Sequence, residues 1–114
     1  MDFGSNSIEI RRNSDSWGPF SFVLTDMLPT GVRISSVMAT VYIGNLKPSS
    51  DISDFSTLSS LIESGTLVTS NQTVQMKFQY PGDDHKGDKC TIVITVTLSS
   101  NAKNQFHFYP VKVV

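Results

Sequence analysis

Four residues within six positions, Asp83, Asp84, His85 and Asp88, form the one local cluster with metal-ligand chemistry in this 114-residue sequence. A calcium loop needs oxygens converging at defined spacings, usually closed by a bidentate acid. Asp83, Asp84 and His85 are contiguous, so their side chains diverge on an extended backbone. Lys86 and Lys89 also neutralise the cluster from within. The spacing predicts a solvated polar loop and no bound metal. The two histidines, His85 and His107, lack the activated serine that nucleophilic catalysis requires, since no Gly-x-Ser-x-Gly elbow occurs. Cys90, the single cysteine, falls in phase with apolar neighbours and reads as a small buried hydrophobe rather than a reactive thiolate. No phosphate-cradling Gly-rich loop is present, nor any carboxylate pair in a strand context suited to glycoside chemistry. The expectation is a protein that is not an enzyme and uses no cofactor.

The elements that carry these residues alternate with period two. In residues 73–80, Val74, Met76, Phe78 and Tyr80 point one way, with Thr73, Gln75, Lys77 and Gln79 on the other side. Residues 90–98 repeat the pattern, with Cys90, Ile92, Ile94, Val96 and Leu98 in phase. Such strands present one face to a core and one to water. The pattern predicts an all-β, two-layer antiparallel fold of about seven strands, with Phe22, Val41, Met76, Phe78, Ile92, Ile94 and Val96 buried. Phe20, Phe22 and Leu24 share a face in residues 19–25. Residues 33–44 form the longest strand, in which Ile34 is out of phase with Val37, Ala39, Val41 and Ile43. That mismatch predicts a bulge at Ser35–Ser36. In residues 105–114, Phe106 and Phe108 occupy one register and Val111 and Val113 the other. Pro110 marks a flip between them, so this strand is expected on an edge or with a bulge at Tyr109–Pro110, His107 facing outward.

Residues 1–7 read as an arm preceding a single domain of residues 8–114, with Phe3 the large apolar side chain of the arm. Residues 13–18 read as a turn carrying Trp17, either a core or rim anchor or an exposed interface anchor. Residues 45–65 read as a long crossover connection with one helical turn at most, in which Asp54 would cap a turn burying Leu58, Leu61 and Ile62. Connections of this length in compact domains tend to be functional or disordered. The polar loop of residues 81–89 adds charges of both signs at a hairpin tip. The expected contact residues are therefore Phe3, Trp17, Asp54, Phe55, Asp83, Asp84, His85 and Lys86.

Nine basic and ten acidic residues give a net charge of −1, and Arg11–Arg12 is too small a basic cluster to track phosphates, which disfavours nucleic acid. Residues 1–13 hold no apolar run and no stretch is long enough to span a membrane, so neither a signal peptide nor a membrane role is expected. With one cysteine, this suggests a reducing cytoplasm as the place of synthesis. The sequon at Asn71–Thr73 reads as an accident in a turn. Seventeen Ser and ten Thr make the exposed strand faces rich in hydroxyls and weakly charged, which suits a module that sits among other proteins.

Taken together, Asp15-Ser16-Trp17, Leu28-Pro29-Thr30-Gly31, Arg33-Ile34-Ser35-Ser36-Val37, Thr73-Val74-Gln75-Met76, Ser99-Ser100-Asn101-Ala102 and the closing Val111-Lys112-Val113-Val114 resemble the small Ig-like β-sandwich proteins of phage virions called fiber–tail adaptors. The resemblance spans most of residues 8–114 through loose strand-and-turn patterns. It departs at residues 81–89, where a Gly-rich turn and an aromatic would be usual, and at the aromatic-rich residues 106–110. It implies a non-enzymatic virion subunit made in a bacterial host, present in many copies and contacting capsid, neck, tail or fibre proteins. It brings no catalytic or metal residues. The competing class is a carbohydrate- or cell-surface-binding adhesion module, for which Trp17 and Tyr80 are the candidate aromatic platform.

Overall fold

The computed structural model describes residues 8–10, 17–28, 30–47, 49–99 and 104–114, with the backbone alone for 17–19, 27 and 104. Seven strands are described: β1 (Ile8–Ile10), β2 (Trp17–Val23), β3 (Ile34–Ile43), β4 (Val68–Ser70), β5 (Thr73–Phe78), β6 (Lys89–Leu98) and β7 (Asn104–Val113). They form two sheets, a four-stranded one in the order β1-β7-β6-β3 and a three-stranded one in the order β2-β5-β4.

Both sheets contribute to one core. β5 alternates half-buried and buried along its length, and Val74, Met76 and Phe78 are fully enclosed. From β6 come Cys90, Ile92, Ile94 and Val96, also enclosed, facing Val41 and its in-phase neighbours on β3. Phe22 of β2 meets Tyr109 of β7 across the two sheets, ring centroids 4.6 Å apart and tilted by 51°. Phe20 meets Phe78 at 5.3 Å. All seven residues expected inside are buried. The irregularity in β3 falls between Ile34 and Ser36, where the phase of Ile34 required it. Removing Ile34 from the outer face by one inserted position lets it stay buried.

Three expectations about the strands are corrected. First, the pairing is not wholly antiparallel: β1 runs parallel to β7, Ile8 opposite Val111 and Ile10 opposite Val113. A parallel pair needs a long connection, and here nearly the whole chain lies between the two strands.

Second, β7 has no register flip at Pro110. It pairs with β6 without interruption from Asn104 to Lys112, and its last residues, Val111–Val113, are also paired on the other side by β1. His107 stands opposite core-facing Ile94, and Phe106 and Phe108 stand opposite Thr95 and Val93. His107, Tyr109, Val111 and Val113 therefore share the inner face, and the two phenylalanines lie outside. Pro110 is tolerated for a different reason. The Val113 amide donates to the Asp88 carbonyl on the β6 side, so alternation turns the Pro110 nitrogen the other way, where no β6 acceptor waits.

Third, Trp17 belongs to β2 rather than a turn, its backbone opposite Phe78. A register shift separates it from Phe20 and accommodates Pro19.

Residues 45–65 contain two short 3-10 turns, Ile52–Asp54 and Ser59–Leu61. Asp51, and not Asp54, caps the first, accepting from the Ser53 amide at 3.0 Å and its hydroxyl at 2.8 Å. Thr57 bridges to Tyr42 at the β3 edge, and Ile62 bridges to Phe78 of β5. The connection thus stitches one sheet to the other, burying Leu58 and Leu61 between them.

Candidate functional site

The outer face of the four-stranded sheet departs from the polar face that alternation implies. Residues in register across strands share a face, so the pairings place Phe106, Thr95 and Met38 in one row. Phe108, Val93 and Thr40 form the next row, and Pro110, Thr91 and Tyr42 the third. Phe106 is 59% exposed and Met38 68% exposed. The centres of the second and third rows are covered: Thr91 is fully buried and Val93 nearly so.

The cover is the start of the long connection. Gly44 leaves β3 with φ +118°, a conformation that favours glycine, and a Cβ there would sit 2.9 Å from the Phe55 ring. Leu46 then folds onto the sheet and is 1% exposed. The Thr91 hydroxyl donates to the Gly44 carbonyl at 2.7 Å and accepts the Leu46 amide at 3.0 Å. Lys47 and Ser50 close a turn by donating to each other's hydroxyl and carbonyl, at 3.0 and 2.9 Å. A groove of about 540 Å³ runs between this connection and the sheet, with Ile52, 51% exposed, on one wall and Phe106 and Phe108 on the other. Its lining is mainly apolar and aromatic, with no clustered charge. Such a surface suits another protein better than a polar substrate.

A second groove of about 580 Å³ follows the β3 edge, bounded by Ala39–Val41 and residues 57–67. Val41 and Ile43 there exchange backbone hydrogen bonds with Leu58 and Ser56, so the upper part of that edge is capped by the chain itself.

The expected contact residues are dispersed. Phe3 lies outside the described residues, as does the side chain of Trp17. Asp54 is exposed on the first 3-10 turn, and Phe55 is half-buried against Gly44. Asp83, Asp84 and Lys86 are exposed and His85 half-buried around another 3-10 turn, Asp83–His85. This loop is tied down: Tyr80 donates to Asp83 at 3.0 Å, His85 Nδ1 lies 3.0 Å from Asp88 Oδ2, and Gly87 and Asp88 bond the Val113 backbone. Gly44 donates to the Lys89 carbonyl at 2.6 Å, which sets the 81–89 loop and the start of the connection at the same end of the sheet. Among the described residues, no three His, Cys, Asp or Glu side chains gather as metal ligands, and no helix is long and apolar enough to cross a membrane. Tyr80, half of the candidate sugar platform, is half-buried with its hydroxyl engaged.

Cys90, His107 and Tyr109 face inward, and burial raises the Tyr109 phenol above its usual value. Burial, helped by the Asp88 charge, pushes the Cys90 thiol up to about 11, so it stays protonated and unreactive at neutral pH. Burial also holds His107 below the usual imidazole value. Its Nε2, like Gln105 Oε1, is enclosed with no hydrogen-bond partner among the described residues.

Sequence reasoning missed Phe106, Phe108, Met38 and Ile52. The available signal was that residues 106–113 are apolar in both phases, the mark of a strand covered on two sides. Compared with known proteins, the chain matches no family model, no curated protein and no solved structure.

Proposed function

We propose that this chain is a non-enzymatic structural module of a phage virion, an Ig-like β-sandwich that joins or decorates neighbouring subunits through the outer face of its four-stranded sheet. One observation carries the reading: Phe106 and Ile52 stand more than half exposed on opposite walls of a single groove, and Met38, also more than half exposed, continues the row of Phe106 on the same sheet face. An isolated domain gains nothing from that arrangement, whereas a subunit that buries it gains about 25 cal/mol for each Å² removed from water. The resemblance to fiber–tail adaptors supplies the assembly, and the weakly charged, hydroxyl-rich remainder of the surface agrees with close neighbours. Many symmetric copies would multiply modest individual contacts.

The test is sedimentation. Particles purified on a density gradient should contain the protein, and cross-linking through a cysteine placed at Ile52 should capture a capsid, neck, tail or fibre subunit. Absence from every sedimenting particle refutes the virion role. A folded protein that instead binds immobilised glycans would establish the adhesion reading.

A further inference from the structure

Met38 is the most exposed large apolar side chain among the described residues, at 68%, and it stands just outside the apolar groove rather than in its lining. Its cross-strand partner is Thr95, which does line the groove and is paired in turn with Phe106 of the groove wall. Neighbouring strands are about 4.8 Å apart, so a projecting thioether and an apolar hollow lie side by side. Side chains in register point the same way. Within one chain the projection therefore stands beside the hollow instead of filling it.

A knob and a hole next to each other on one face are what a two-fold pairing needs. Rotation about an axis between them sets each knob into the other copy's hole. A head-to-tail contact would need the two on different sides of the molecule.

We propose that the occupant of the groove is a second copy of this chain, in an isologous pair in which Met38 of each copy enters the groove of the other between Ile52 and the Phe106 and Phe108 rings. This rests on the reading of that face as the docking surface and names what docks there. A flexible thioether adapts to an irregular aromatic wall, and its sulfur gains from contact with ring edges. The charges agree with self-association. The two central rows, Met38, Thr95 and Phe106 with Thr40, Val93 and Phe108, carry no full charge at neutral pH. Beside them, Lys47 lines the groove, and exposed Asp51 and Asp54 flank Ile52 on the first 3-10 turn. The rim thus holds both signs, so a copy meets no uniformly like-charged rim, and a partner of strong single charge finds no complement. A pair resting on three projecting apolar side chains and one groove belongs at the small end of the interface range, below about 1,200 Å² in total. It is correspondingly weak in solution and strengthened where an assembly holds many copies together.

The experiment is sedimentation of the purified full chain over concentrations from about 10 to 500 μM, where contacts of micromolar strength become populated. The mass should rise with concentration from one 12.5 kDa chain to two and stop there. Met38→Glu, an exposed change that should keep the melting temperature, forces a charge into the contact and should weaken association at least about tenfold. Val68→Glu, exposed on the other sheet, should pair as the parent does. A parent that stays monomeric throughout, growth beyond two chains, or a Met38→Glu variant that pairs like the parent each overturns the proposal. Loss of pairing in Val68→Glu equal to that in Met38→Glu overturns it too. A monomer found in particles would overturn this pairing and leave the virion reading standing, whereas a dimer absent from every particle would do the reverse.

Discussion

The hydroxyl of Thr91, fully buried near the start of β6, holds the backbone of Gly44 across the outer face of the sheet, donating to its carbonyl at 2.7 Å. By also accepting the Leu46 amide, one side chain satisfies a carbonyl and an amide where the turn folds Leu46 onto the sheet. Thr91→Val keeps the shape but strands that amide and carbonyl, at a cost of about 1–3 kcal/mol in a denaturant series. Thr91→Ser, which keeps the hydroxyl, should lose less. If the valine variant were as stable as the parent, the clamp would not be what fixes the connection.

Ile94 and Thr95 are neighbours on β6 with opposite destinations. Ile94→Ala empties a fully enclosed site and should cost about 2–5 kcal/mol. Thr95→Ala, on the outer face beside Phe106, should cost much less. Matching losses in urea titrations would contradict the assigned faces.

Phe106→Asp should leave the melting temperature almost unchanged, because surface substitutions usually stay within about 0.5 kcal/mol. It should sharply reduce occupancy in particles, since a charge would have to be buried at the contact. A variant that assembles at parental occupancy excludes this face from the contact.

Burial lowers the pKa of His107, which makes stability depend on pH in a definite direction. Above its unfolded value of about 6.5 the ring is neutral in both states and its contribution is complete. As pH falls below that value the unfolded chain takes up the proton first, so stability declines until the folded ring protonates too. Urea midpoints should therefore drop between pH 7 and 5.5, and His107→Gln should flatten that part of the profile. An unchanged slope in the variant would assign the effect elsewhere.

Cys90 should resist a thiol reagent at pH 7.5 in the folded protein and react fully once denatured, as its raised pKa and burial require. Rapid labelling of the native state would mean that β6 opens locally.

Much of this fold was legible where one face of a strand is apolar and the other polar. β5 and most of β6 met that condition, and Ile34 betrayed its bulge by being out of phase. β7 did not, because Phe106 and Phe108 compete with Tyr109, Val111 and Val113 for the core. The uninterrupted pairing with β6 decides that competition, and it is a tertiary fact invisible to local periodicity. The same limit hid the groove, whose lining comes from three strands and a connection far apart in sequence. Asp51 and Asp54 were equally plausible caps by residue type. The Ser two positions after Asp51 gave it both an amide and a hydroxyl to hold.

The parallel pairing of β1 with β7 also determines how the molecule would bear a mechanical load. Tension applied to the chain before Ile8 and after Val113 pulls the two strands past each other lengthwise. Their hydrogen bonds, evenly spaced in a parallel ladder, are then strained together in shear instead of opening one at a time like a zipper. A link between two bodies moved by rotation or impact would yield at a higher force than an antiparallel closure of the same length.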